Sequence, residues 1–207
     1  MNRFRISENS LDLLLHLIHK NKIDISDIPI GLIAEEYLDY LKFMNSINVD
    51  FSNEFFIMAA KLVHIRSCTI SSYFEEMDPR EEITHILLDY LKKKDISSML
   101  ENRGVYQDST DVIEDFFLPS FFELLDAFRE IMKRRFKSWK IRSLPDRREE
   151  IVGFLQEKKE PLFDDLFDEN IPEEIVAKFL SLLDLVRQGV IFVYQPLPEK
   201  SIKIKLK

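Results

Sequence analysis

The sequence predicts a mainly α-helical protein: an N-terminal helical domain, a helical middle region and a C-terminal winged helix with a small β-hairpin. Three observations carry this. Only four glycines occur in 207 residues, which suits helices joined by polar turns and not a glycine-rich β fold. Apolar residues recur at i, i+3, i+4 and i+7 in one segment after another. The period then drops to two at the end of the chain, where Ile202, Lys203, Ile204, Lys205 and Leu206 alternate as a half-buried strand does.

The first helix carries Leu11, Leu14, Leu15 and Ile18 on one stripe and is broken by Asn21 and Lys22. Ile33, Tyr37 and Leu41 mark a second helix that ends near Asn45, and a turn over 48–53 leads into EFFIMAAKLVHIRS. In that third helix Phe55, Met58, Ala59, Leu62 and Val63 form one stripe while Ile57 and Ile65 project elsewhere, more apolar surface than a three-helix core needs. Asp78 is placed as an N-cap, with Pro79 at the first helical position and Glu81 able to reach back to the cap. The helix it opens has Ile83, Ile86, Leu87, Tyr90 and Leu91 on one face before three lysines at 92–94. Residues 102–114 have little apolar periodicity and read as a tether.

Pro119 opens a helix striped by Phe121, Leu124, Leu125, Phe128 and Met132, which runs into the basic segment KRRFKSWKIR, 133–142. After Pro145 come a helix with Ile151, Phe154 and Leu155, an extended piece at Pro161 and Leu162, and a brief helical turn at 164–167. Pro172 starts a longer helix with Val176, Phe179, Leu183 and Val186, closed by Gly189. Strands at 190–194 and 202–206 finish the chain. Helix, short strand, helix, helix, hairpin is the order of a winged helix.

Chemistry is hard to find. A 45% hydrophobic and 32% charged composition is that of a core-forming soluble chain. A net charge of −8 repels phosphates, so contact with DNA would need a local basic patch or a partner. Cys68 stands alone, and the N-terminal residues lack a signal-peptide apolar core, so a cytoplasmic location is expected. His16 and His19 have HxxH spacing but lack further zinc ligands in their neighbourhood. The acidic pairs Glu35/Glu36 and Glu149/Glu150 are adjacent on helices, roughly 100° apart, and suit solvated faces better than acid–base work. No glycine precedes Lys-Ser or Lys-Thr in a phosphate loop. No enzyme activity, cofactor, metal or small-molecule substrate is expected.

Segment 133–142 interleaves bases with Phe136 and Trp139, as a nucleic-acid surface would. Complementing a helix dipole and docking on an acidic protein surface are the weightier explanations. The helix from Pro172 to Gln188 has Glu173, Glu174 and Asp184 against Lys178 and Arg187, the wrong balance for a phosphate-facing recognition helix.

In order along the chain, LDLLLHLI at 11–18, KNKIDISDIPI, the Tyr37-to-Leu41 helix, EFFIMAAKLVHIRS, the DPREE helix start and the C-terminal VAKFLSLLDLVRQGVIFV resemble segregation and condensation protein A, the bacterial kleisin family. The chain departs from the family's Phe-x-Gly-Pro lead-in, carrying Ser7, Glu8, Asn9 and Ser10 instead, and its middle region is trimmed. The resemblance implies a bridge between the two heads of a structural maintenance of chromosomes (SMC) ATPase dimer, acting in chromosome condensation and segregation at the nucleoid. It implies domains at 1–77, 78–138 and 139–207. The first would grip an SMC coiled-coil neck through Phe55, Met58, Ala59, Leu62 and Val63. The second would recruit a dimer of segregation and condensation protein B (ScpB) through Ile86, Leu87, Tyr90, Leu91, Phe121, Leu124, Leu125 and Phe128. The third would dock on an SMC head through Phe192, Tyr194, Ile202, Ile204 and Leu206. DNA would be reached only indirectly, through the SMC complex, and no membrane is involved. The competing expectation is a winged-helix transcription regulator with an N-terminal oligomerisation domain.

Overall fold

Helix formation near the start of the chain turns on Asn9. Its side chain accepts from the amides of Leu11 (2.9 Å) and Asp12 (3.0 Å), and the Asp12 carboxylate accepts from the Asn9 amide (3.3 Å). This reciprocal capping box satisfies amides that the first turn leaves open. The segment that replaces the family's Gly-Pro lead-in therefore starts the first helix by capping it. The computed structural model describes residues 4–6, 8–71, 79–103, 119–141, 144–158, 160–196 and 201–207. The expected cap Asp78 and residues 104–114 of the expected tether lie outside the described residues.

The protein is mainly helical with a small antiparallel hairpin at the C-terminal end. The chain folds as two compact units, one of residues 5–44 and 50–111, the other of residues 112–207 with 1–4 and 45–49. The first unit contains α1 (Ser10–Lys20), α2 (Ile30–Ser46), α3 (Asn53–Ser71) and α4 (Pro79–Arg103). Two short strands pair, β1 (Phe4–Arg5) and β2 (Val49–Asp50), the second within the segment that the sequence reads as a turn. At two residues each they are too short to leave a period in the sequence.

Leu13, Leu14, Leu17 and Ile18 of α1 are fully buried with Ile33 and Tyr37 of α2. α4 packs on α1 and α3, burying Ile83 and Leu87. A polar clasp fastens it further along: Asn9 Nδ2 donates to the Tyr90 hydroxyl (3.0 Å), Tyr90 donates to Asp12 Oδ1 (2.9 Å), and Lys94 Nζ donates to the same oxygen (2.8 Å). The hydrogen bond to Asp12 holds the Lys94 pKa above its ordinary value.

The second unit contains α5 (Phe121–Arg135), α6 (Arg148–Glu157), a 3-10 turn at Phe163–Leu166, α7 (Pro172–Arg187), β3 (Ile191–Tyr194) and β4 (Lys203–Leu206). Ser120 and Glu123 form a capping box at the start of α5. The core is aromatic: Phe128 of α5 stacks on Phe179 of α7 at 3.9 Å between ring centroids and 5° between planes, with Phe167 edge-on to Phe128 at 5.4 Å. Gly189, at φ +68°, ends α7. The Gly189 amide donates to Val186 O (2.9 Å) and the Val190 amide to Leu185 O (3.0 Å), the bonds of a Schellman cap.

β3 and β4 pair antiparallel with Phe192 opposite Lys205 and Tyr194 opposite Lys203. Leu162 forms an isolated antiparallel bridge with Lys203 on the other side of β4, through the Phe163 amide to Ile202 O (2.9 Å) and the Ile204 amide to Pro161 O (3.1 Å). Thus α4 and α5, which the sequence places together in a middle region, each bury an apolar stripe in a different unit.

Candidate protein-binding surfaces

The residues expected to grip an SMC neck divide by helical angle. Phe55, Met58, Ala59 and Leu62 are buried inside the first unit, and Val63 is 46% exposed. With about 100° per residue, the buried arc centred on Leu62 continues to Ile65, which is buried, while Val63 falls on the opposite flank. That flank carries Phe56 (58% exposed), Ile57 (59% exposed) and Ala60. Phe56, Ala60 and Val63 stand at i, i+4 and i+7, a second apolar stripe on the outside of α3. The Phe51 ring steadies Phe56 from 5.2 Å. Ion pairs border the helix, Lys61 with Glu82 (3.2 Å) and Arg66 with Glu35 (2.7 Å).

Of the residues expected to recruit an accessory subunit, Leu87, Phe121, Leu124, Leu125 and Phe128 are buried. Ile86, Tyr90 and Leu91 are half-buried along α4, where Leu88 is exposed.

The expected head-docking residues lie on two faces of the hairpin, because successive strand residues point to opposite sides. Ile204 is fully buried with Ile191 and Val193, whereas Phe192 is 44% exposed. Tyr194, opposite Lys203, is buried, and Ile202 and Leu206 are half-buried.

α7, which would read DNA in a winged-helix regulator, is buried along most of its length. Its bases are already engaged. Lys178 bonds Glu169 and lies 2.9 Å from Glu150, and Arg187 lies 2.6 Å from Asp184. Burial of the Lys178 ammonium pulls its pKa down, but Glu169 and Glu150 more than offset this and hold it raised. Arg147 adds an ion pair with Glu174 at 2.5 Å. The bases of the last turn of α5 are engaged likewise: Lys133 meets Glu130 (3.1 Å), Arg134 meets Asp164 (3.0 Å), and Arg135 donates to Glu169 O (2.9 Å).

Sequence spacing misses Phe56 and Ala60 because α3 is apolar on more than one face. The signal that could find them is the second stripe that they form with Val63.

The fold and its surfaces define a helical protein ending in a winged helix, with exposed apolar side chains that include a flank of α3 and one face of the C-terminal hairpin. The family model described as segregation and condensation protein ScpA matches residues 17–207. The chain is 31% identical to segregation and condensation protein A of Myxococcus xanthus, over 95% of this chain and 83% of that protein. It is 30% identical to the protein of the same name from Listeria welshimeri (91% and 89% covered) and 29% identical to that from Bacillus subtilis (91% and 88% covered). This chain belongs to the segregation and condensation protein A family.

Proposed function

We propose that the chain acts in chromosome segregation and condensation as a non-enzymatic bridge between the two heads of an SMC ATPase dimer, in the cytoplasm at the nucleoid. The observation that carries this is the outer flank of α3. Having buried Phe55, Leu62 and Ile65, the helix still holds Phe56, Ile57 and Val63 outside. A two-helix coiled-coil neck has apolar grooves beside its seam, and an added helix with such a stripe converts it to a bundle. The gripping residues are therefore Phe56, Ile57, Ala60 and Val63, and the buried part of the stripe is scaffold. The C-terminal winged helix docks on the other head, while Ile86, Leu88 and Leu91 of α4 are accessible for an ScpB dimer. Two grips on one chain raise the effective concentration of each head for the other, coupling ATP turnover in the partner to ring opening.

The test is capture by purified SMC head-and-neck and head-only fragments. Val63→Glu is expected to leave the fold and head docking intact and to reduce neck capture at least tenfold. Leu62→Glu is expected to unfold the first unit, since it buries a charge. Binding of a DNA duplex by the wild-type chain without capture by either fragment would instead favour the transcription-regulator reading.

A further inference from the structure

The C-terminal sheet has an outer face whose pattern is more specific than exposed apolar residues alone. Phe192 lies opposite Lys205 and Tyr194 opposite Lys203, and the Lys207 amide donates to Val190 O at 3.1 Å, placing Lys207 opposite Val190. Side chains directly opposite on antiparallel strands share a face. Lys203, Lys205 and Lys207 therefore form a central column about 7 Å apart at two-residue steps. Val190 and Phe192, both exposed, flank it on one side, and exposed Leu162, bridged to Lys203, flanks it on the other. Lys207 sits 5.7 Å from the Phe192 ring centroid.

Among the described residues, the carboxylate that meets this column is that of Glu160. Glu160 lies 3.4 Å from Lys205 Nζ and 3.9 Å from Lys203 Nζ, and it also accepts a hydrogen bond from Tyr194. These contacts hold its pKa below the ordinary carboxylate value, the Tyr194 bond first. The Glu160 side chain is nevertheless two-fifths exposed. An exposed pair of this kind contributes little to folding, so its arrangement is better explained by what the face meets.

We infer that Glu160 is an internal stand-in for a partner's carboxylate: it neutralises a lysine-lined apolar sheet face in the free chain and releases Lys203 and Lys205 to an acidic surface on the SMC head. This rests on the head-docking reading above. Exposed Val190 and Leu162 on either side of the lysines favour a protein surface over nucleic acid, because aliphatic side chains give bases no ring to stack on. The occupied bases of α7 point the same way. Charge on such a face acts chiefly on association rate and salt dependence.

The experiment measures association of the full chain with purified SMC ATPase head at low and high salt, with a fluorescent DNA duplex as a second probe. Glu160→Gln is expected to associate about threefold faster and Lys205→Glu about tenfold slower, both differences shrinking at high salt. Lys205→Gln should be intermediate, and it serves in place of Lys205→Glu should charge reversal disturb the hairpin; Glu160→Ala repeats the gain. Thermal melts should match the wild type. If the wild type binds the head and all variants bind at its rate, the role of Glu160 is overturned while head docking stands. If the wild type does not bind the head, both fall. Duplex binding that Lys205→Glu abolishes would assign the face to nucleic acid.

Discussion

α3 and α7 are both apolar on more than one face, yet their units use them in opposite ways. α7 is hemmed in by α6, β3 and the stacked Phe128 of α5, so it spends its apolar surface on its own core and its bases on internal acids. α3 packs on α1 and α4 and ends with Phe56, Ile57 and Val63 outside. A doubly apolar helix presents a surface only where its unit supplies too few neighbours to cover it, and helix composition alone does not say which case holds.

The largest effect that tests this contrast is deletion of a core ring against deletion of a flank ring. Phe128→Ala removes the stacked partner of Phe179 and is expected to cost about 3–5 kcal/mol. Phe56→Ala should stay within about 0.5 kcal/mol. Urea unfolding with hydrogen exchange resolved by unit measures both. A cost above about 2 kcal/mol for Phe56→Ala, the scale of a core truncation, would mean that α3 has no free flank, and the contrast would break.

A smaller effect sharpens the α7 side. Lys178→Met leaves Glu169 and the half-exposed Glu150 without their shared cation and should cost about 2 kcal/mol, the scale of a hydrogen bond between charged groups and not of a fully buried pair. The pH dependence has a definite sign. Because the folded-state pKa of Lys178 is raised from its ordinary 10.5, its contribution is fully present below about pH 10.5 and fades as pH rises through the folded value. The second unit should lose stability above that pH, and Lys178→Met should lose less of its remaining stability over the same rise. Equal alkaline losses in the two proteins would show that Lys178 is not the group responsible.

Much of the fold is legible from spacing because its signals are local. The Pro172 start and Gly189 stop of α7 are single-residue events, and the alternation in 202–206 needs no tertiary knowledge. The capping box of Asn9 and Asp12 is equally local, but a segment defined by its missing Gly-Pro turn hides the cap that stands in its place. The binding surface is harder to read. Choosing between Val63 and Ile65 as the continuation of a buried arc requires knowing where α1 and α4 lie, and no period supplies that. Glu160 is invisible in the sequence for a related reason: its meaning comes from the bridge between Leu162 and Lys203, two residues far apart in the chain.

The smallest effect concerns a polar group inside the first unit. Lys178 shows how the second unit treats a largely buried polar group, pairing it with two acids. Tyr37 shows the reverse: it is fully buried in α2, and among the described residues its hydroxyl has no hydrogen-bond partner. Burial alone drives its pKa well above the ordinary tyrosine value. An unsatisfied buried hydroxyl costs about 1–3 kcal/mol, and phenylalanine fills nearly the same volume without it. Tyr37→Phe is therefore expected to stabilise the first unit by about 1 kcal/mol, read as a higher urea midpoint with an unchanged slope. Neck capture should be unaffected, since the substitution lies in the core and not on the outer flank of α3. A loss of stability would mean that the hydroxyl has a partner in solution, and a loss of capture without a loss of stability would place Tyr37 in the grip itself, moving the gripping surface from the outside of α3 into the core it covers.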